Sequence, residues 1–318
     1  GVQTCALPIC KIIRHDGTSE DLWNWSASSE AYSQNKFEEI LRQSVVEHEL
    51  SDVKNVSLLS GGLDSAVITA LSSVARSYCI GLPENNEFAG AEETAAKIKK
   101  TLINITITPS QMRENWRELT RKRGEPLSLP NEGLIYAVCN AMDADEKVVL
   151  TGEGADELLF GYDNIYRWSV SEQWQGADLF LTRYAYSELI KPTDRLAQYI
   201  EILRGNNSNA EFVEDFFFRV HLPGLLRRMD FASMAASKEA RVPFVNKRLI
   251  GYMYRREHAV KINDIESKIP IRGLASKLGL SGALSRKKIG FSAQVGEINS
   301  RFKEYEEFQK IIMEELQW

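Results

Sequence analysis

The sequence predicts an α/β fold: a doubly wound parallel sheet with helices on both faces, followed from about Ser171 by a mainly helical C-terminal part. Three observations predict it. Short apolar runs alternate with stretches of helical spacing through the first half, the pattern of successive strand–helix units. The pair Gly61-Gly62 stands between the apolar run at 56–59 and a helical run beginning at Ala66. A second glycine-rich stretch at 151–157 follows another apolar run. Ligands of such sheets bind outside the carboxyl ends of the strands, so both glycine loops fall on the same edge.

The elements follow in order. A short β-like run at 11–14 leads to a turn at Asp16-Gly17 and then Leu22-Trp23-Asn24-Trp25, with a polar linker at 26–33. Apolar positions 37, 40, 41, 45 and 46 give a helix over 37–49. The strand at 56–59, the glycine loop and a helix over 66–74 come next. A second strand at 78–82 stops at Pro83, a helix covers 89–100, and a third strand covers 102–107. Residues 134–142 are helical and 147–150 form a fourth strand. At the C-terminal end, Phe302, Tyr305, Phe308, Ile312 and Leu316 share one helix face. There is no internal repeat and no low-complexity segment.

The chain has 318 residues, 43% hydrophobic and 26% charged, with a formal charge of −5. That is a globular composition with material for a substantial core. No apolar run approaches the ~20 residues of a membrane span. The acidic balance argues against a nucleic-acid partner, which calls for a basic face. Cys5, Cys10, Cys79 and Cys139 lack metal-ligand spacing. Cys79 and Cys139 read as reduced core thiols, and a cytoplasmic setting follows. Residues 1–10 resemble the translation of a sequencing-adapter oligonucleotide and are read as non-biological, so Cys5 and Cys10 carry no function. The natural protein is accordingly expected to extend further upstream.

Ser60-Gly61-Gly62-Leu63-Asp64-Ser65 has the makings of a phosphate cradle. Glycines let the backbone curl close to a ligand, and the following helix aims free N–H groups and its positive dipole end at it. Ser60 and Ser65 add hydroxyls. Asp64 would repel bare phosphate, so it implies Mg²⁺ between the two. The plainer alternative is a tight turn in which the serines and Asp64 act as caps. Glu153, Asp156 and Glu157 place three carboxylates within five residues of the second loop. Such like charges repel unless a cation offsets them; otherwise this is an acidic exposed turn.

The first loop resembles the pyrophosphate loop of the ATP pyrophosphatase superfamily, whose members cleave ATP between the α and β phosphates. Thr151 to Tyr162, Glu239-Ala240-Arg241-Val242-Pro243-Phe244, Arg286-Lys287-Lys288-Ile289-Gly290-Phe291 and Glu125-Pro126 resemble, in order, signatures of the asparagine synthetase family's synthetase domain. Residues 12–25 resemble the segment joining that family's glutaminase and synthetase domains. The resemblance therefore divides the chain into the adapter-like 1–10, a remnant at 11–32, and a synthetase domain at 33–318 of the adenine nucleotide alpha hydrolase-like fold. A glutaminase domain would belong upstream.

What the resemblance implies is a two-step reaction with ATP and Mg²⁺. A carboxylate, aspartate by default, is adenylated with release of pyrophosphate, and ammonia then displaces AMP to leave an amide. Ser60, Gly61, Gly62 and Ser65 would hold the pyrophosphate, with Asp64 and Asp156 on Mg²⁺. Leu58, Ile80 and Gly152 would line the adenosine pocket, and Glu153 would be the acid–base group for ammonia. Lys268 would face the pyrophosphate and the transition state, although its local pattern alone reads as a surface charge. Arg286, Lys287 and Lys288 would help attract pyrophosphate, with a solvated basic turn the plainer reading for at least one of them. Asp230 and Arg241 match substrate-side positions, while Arg241 is equally suited to an ion pair with Glu239 or Asp230. Gly124 stands where many relatives carry an acid, and the third strand lacks a histidine often found there; both bear on whether aspartate is the substrate. The implied partners are a small carboxylate and ammonia, with a homodimer as a possible assembly. Two alternatives stand beside this. A related enzyme would let an internal amine replace ammonia, favoured by a tyrosine–glutamate pair beside the acyl-adenylate; a non-catalytic binding module would share only the fold.

Overall fold

The computed structural model describes residues 11–13, 19–21, 28–185, 193–286 and 301–317. The adapter-like segment, Trp23 and Trp25, and Lys287, Lys288, Gly290 and Phe291 lie outside the described residues. The chain divides into two compact units: Glu38–Glu153 with Gly224–Asn246 and Ile271–Trp318, and Gly1–Phe37 with Gly154–Pro223 and Lys247–Pro270, each taken over its described residues.

The second of these units contains an antiparallel pair, β1 (Lys11–Ile13) with β2 (Ser19–Asp21). The first holds a five-stranded sheet of β3 (Lys54–Leu58), β4 (Arg76–Gly81), β5 (Thr101–Thr106), β6 (Glu146–Leu150) and β7 (Glu239–Arg241). Its strands run in the order β5-β4-β3-β6-β7, and every pairing is parallel. The chain winds outward from β3 through β4 to β5, then returns to the other side of β3 as β6. The order therefore reverses beside β3, and the crevice at a sheet's reversal point is where doubly wound folds bind ligands.

The four strands read from the sequence are present within one or two residues of their expected bounds. The fifth, β7, was expected only as a signature. Three residues, Glu-Ala-Arg, carry no alternation of their own; they extend because buried β6 offers its edge, with Leu150 beside Arg241. The helix Pro109–Arg123 was also not expected. It is nearly all polar, yet Thr108 and Gln111 close a capping box at its start and Gly124, at φ 67°, ends it.

Val56, Tyr78, Val149, Ile135, Val138, Trp116 and Phe308 are among the buried residues of this unit's core. Phe308, Ile311 and Ile312 of the C-terminal helix Arg301–Leu316 are buried there, whereas Tyr305 is more than a third exposed. Trp116 meets Phe308 edge-on at 5.2 Å and donates its indole N–H to Pro130 O at 2.7 Å. Cys79 and Cys139 are buried free thiols. Burial pushes each up to about 12, so neither offers a thiolate at neutral pH.

The helical unit packs around aromatic rings. Phe160 stacks on Tyr166 at 4.0 Å, and Trp168, Phe180, Phe212 and Phe217 fill the same core. Inside it, Lys261 and Glu214 form an ion pair with both side chains fully buried. Lys261 also lies 4.6 Å from the centre of the Phe160 ring. A π-helical turn, Phe217–His221, brings His221 to Tyr162 and Tyr184. Among the described residues no helix is long and apolar enough to cross a membrane.

Candidate active site

In the sheet unit, β3 ends at Leu58 and the helix Leu63–Leu71 begins after an N-cap at Gly62. Gly62 has no side chain, and the first turn receives no side-chain cap. Its N–H groups therefore face the loop without the usual hydroxyl acceptor. The two serines close the loop on itself. Ser65 Oγ accepts from Ser60 N at 3.0 Å and lies 3.0 Å from Ser60 Oγ, and Gly62 N donates to Ser60 Oγ at 3.1 Å. The serines thus shape the loop rather than cap the helix, and the N-cap itself carries no side chain. Asp64 sits in the first helical turn, half-buried.

The loop after β6 packs directly against this one. A Cβ on Gly152 would stand 2.7 Å from Ser65 N and 2.8 Å from the Asp64 carbonyl carbon. Only a residue without a side chain fits there, so the two glycine motifs touch through their backbones. Leu58 at the end of β3 is half-buried and Ile80 in β4 is buried.

Two arginines border these loops, Arg286 half-buried and Arg228 buried. Arg286 reaches the helix Phe88–Lys97, donating from Nη2 to Thr94 Oγ1 at 3.1 Å and lying 3.5 Å from Glu93. Its Nη1 fills the space a Cβ on Gly90 would need, and that same Cβ position is 3.0 Å from Gly61 Cα. Arg286 Nε and Nη1 are buried with no hydrogen-bond partner among the described residues. A guanidinium beside the cradle with donors to spare suits a phosphate oxygen.

Arg228 was not anticipated. It lies on the helix Leu222–Ala235, is 6% exposed, and donates from Nη2 to Glu153 Oε1 at 3.0 Å and from Nη1 to Asn131 Oδ1 at 3.2 Å. Asn131 closes the loop that begins at Glu125-Pro126. That loop is fastened by Glu132, a buried carboxylate accepting from Ser128 N, Leu129 N and Arg123. Burial raises Glu132 above the usual carboxylate range, while those donors oppose the shift. Glu125 in turn bridges Arg123 and Arg227.

Arg241 forms the expected ion pair with Glu239, at 2.9 Å, and also donates to the carbonyls of His48 and Leu50. Asp230 is exposed on its helix, with its carbonyl accepting from Ser233. Lys288 lies outside the described residues.

In the helical unit, Asp156 falls in the first turn of the helix Ala155–Leu159. Lys268 is not a surface charge: it is 6% exposed, and its Nζ lies 2.7 Å from Asp156 Oδ1. Its backbone is left-handed at φ 58°, a costly setting for a lysine, and its N–H donates to Leu159 O at 3.1 Å. Gly161 makes room for the pair, since a Cβ there would sit 2.0 Å from Asp156 Oδ1 and 2.2 Å from Lys268 Cε. A tyrosine–glutamate pair does occur, Tyr162 donating to Glu157 at 2.6 Å, and His221 lies 3.1 Å from the same hydroxyl. It belongs to the helical unit, whereas Glu153 belongs to the sheet unit, where its carboxylate is bonded to Arg228.

A family model described as asparagine synthase matches residues 36–317. Asparagine synthetase [glutamine-hydrolyzing] 1 of Bacillus subtilis (strain 168) is 25% identical over 305 residues, covering 79% of this chain and 48% of the relative. Asparagine synthetase B [glutamine-hydrolyzing] of Escherichia coli (strain K12) is 26% identical over 200 residues, covering 49% and 35%. The chain spans about half the length of the curated relatives it matches. Among solved structures, NMN synthetase from Francisella tularensis covers 67% of this chain and 99% of its own at 17% identity and a TM-score of 0.32, too distant for a functional argument. Fold, signatures and family model agree that the chain belongs to the asparagine synthase family.

Proposed function

We propose that this chain is an ATP-dependent amide-forming ligase that adenylates a carboxylate, aspartate by default, and then transfers ammonia to it. The observation that carries the reading is the backbone contact of the two glycine loops at the reversal point of the sheet, with Arg286 beside the first and Glu153 on the second.

In the first step a carboxylate oxygen attacks the α-phosphorus, the bond to the bridging oxygen breaks, and pyrophosphate leaves with the electron pair. Charge develops on phosphate oxygens, so the first-turn amides of the Leu63–Leu71 helix and the guanidinium of Arg286 are the stabilising groups. Lys268 would act on the same charge. By the resemblance Asp64 and Asp156 would hold Mg²⁺, for which carboxylates are suitable hard oxygen donors; bound, it would neutralise the phosphates. In the second step ammonia attacks the acyl carbon, the bond to the AMP oxygen breaks, and the surplus proton passes to Glu153. Because an arginine, not a tyrosine, meets the Glu153 carboxylate, ammonia is favoured over an internal amine. Glutamine would be the source of the ammonia, as the names of the glutamine-hydrolyzing relatives suggest.

The test is carboxylate-dependent ATP–pyrophosphate exchange with Asp64→Ala beside the unmodified chain. Exchange should vanish in the variant while the circular dichroism and unfolding midpoint are kept. Exchange that persists would remove Asp64 from the site, and none in the unmodified chain with aspartate or its analogues would refute the ligase reading.

A further inference from the structure

We infer that Arg228 is a positioning residue for the second half-reaction alone: it holds the Glu153 carboxylate where incoming ammonia can give up its proton. The inference rests on the ligase reading above and names a residue that reading does not need for adenylation. A glutamate in a glycine-rich loop has three side-chain torsions to fix, and Glu153 has glycines on both sides. Its backbone N–H is tied to Thr151 Oγ1 at 3.3 Å, which fixes the loop but not the carboxylate. Among the described residues, Arg228 is the side chain hydrogen-bonded to that carboxylate, and the pair is well shielded, with 7% and 19% of the side chains exposed.

The arginine is itself held firmly. Its second Nη bonds Asn131, at the end of the loop anchored by Glu132 and Arg123. One planar guanidinium thus spans two loops, after β6 and before the helix Glu132–Asn140. That gives the Glu153 carboxylate an address set by the sheet unit's core rather than by its own flexible loop. Proton transfer demands hydrogen-bond reach, and a misplacement of about 1 Å costs on the order of 100-fold. Adenylation uses other groups, the helix amides and Arg286, so losing Arg228 should spare it. A structural ion pair, by contrast, would affect both steps alike.

The experiment measures aspartate-dependent ATP–pyrophosphate exchange and amide formation from ammonium chloride on the full chain, in Arg228→Gln, Arg228→Lys, Glu153→Gln and the Arg228→Gln/Glu153→Gln double variant. Arg227→Ala, one residue away and bonded to Glu125, is the control. Exchange should stay within about threefold in Arg228→Gln while amide formation falls about 30-fold or more, with part regained in Arg228→Lys. The double variant should be no slower than Glu153→Gln, because both changes remove one device. The inference is overturned if exchange and amide formation fall together in both Arg228 variants, if amide formation is unchanged, or if the double variant loses the product of the single effects. Absence of exchange in the unmodified chain refutes the ligase reading itself and takes the inference with it.

Discussion

Gly152→Ala is the sharpest test of the contact between the two glycine loops. The added methyl would lie 2.7 Å from Ser65 N, 2.8 Å from Asp64 C and 2.9 Å from Asp64 Cβ. Carbon contacts settle at about 3.5–4.0 Å, so the loops must part by roughly 0.7–1 Å. Two of the three obstacles are backbone atoms of the first helical turn, which cannot swing aside as a side-chain tip can. Overpacking of this kind costs about 1–3 kcal/mol, which urea unfolding would show as a lower midpoint at unchanged slope. The same displacement at a phosphate site should cut pyrophosphate exchange on the order of 100-fold. Gly61→Ala grades the result: its methyl would meet Glu87 Cβ at 3.2 Å and the Glu87 carbonyl at 3.4 Å, so it needs a shift of only a few tenths of an ångström and should lose far less. If Gly152→Ala exchanges within twofold of the unmodified chain, or Gly61→Ala loses more, the loops do not form one cradle.

Two further outcomes concern the helical unit. Lys261→Met should destabilise by about 3–5 kcal/mol in urea unfolding, because it strands the fully buried Glu214 carboxylate; adding Glu214→Leu should recover much of the loss, and no recovery would show that packing dominates. Burial lowers the His258 imidazole below its ordinary 6.5, with the Lys261 and Arg255 charges adding to the shift and Glu214 and Glu211 opposing it. The unfolded chain then binds more protons between the folded value and 6.5, so stability is full above 6.5 and declines as the pH falls below it. The unfolding midpoint should accordingly drop with acid over that window, and less steeply in His258→Phe; parallel slopes would exclude His258 as the source.

The parts of the site that could be read from the sequence are those whose chemistry is local. Two glycines between a strand and a helix mark a tight turn at a sheet edge, and that was enough to single out Ser60–Ser65 and, by the same logic, Thr151–Glu157 as the loops that meet at Gly152. Arg228 had no such signature. Beside Arg227 in a run of mixed polarity it looks like a solvated charge, and only the fold decides that one arginine is half exposed while its neighbour is buried against Glu153. Lys268 was anticipated through resemblance alone, because its partner Asp156 lies 112 positions earlier (268 − 156). The helix Pro109–Arg123 is a different case. Its capping box and terminal glycine were in view, and Met112, Trp116 and Leu119 stand at helical spacing between them, but so thin a stripe in a highly charged run did not stand out. β7 shows the limit most plainly, since its strand character comes from the neighbour it pairs with.

The strand order also dictates when the site comes into being. Val56 pairs with Val149 and Ser57 with Leu150, contacts that close a loop of roughly 90 residues, whereas β3 meets β4 after about 20. On a ribosome the Ser60 loop, its helix and two strands are made and can pair long before β6 exists. Gly152 arrives only after β6. Until it docks, the first loop has no wall behind Asp64 and Ser65, so a chain stopped before residue 150 would carry the whole first motif and no cradle. Closure of the sheet and contact between the two glycine loops are therefore one late event in the life of this polypeptide, set by the reversal of winding beside β3.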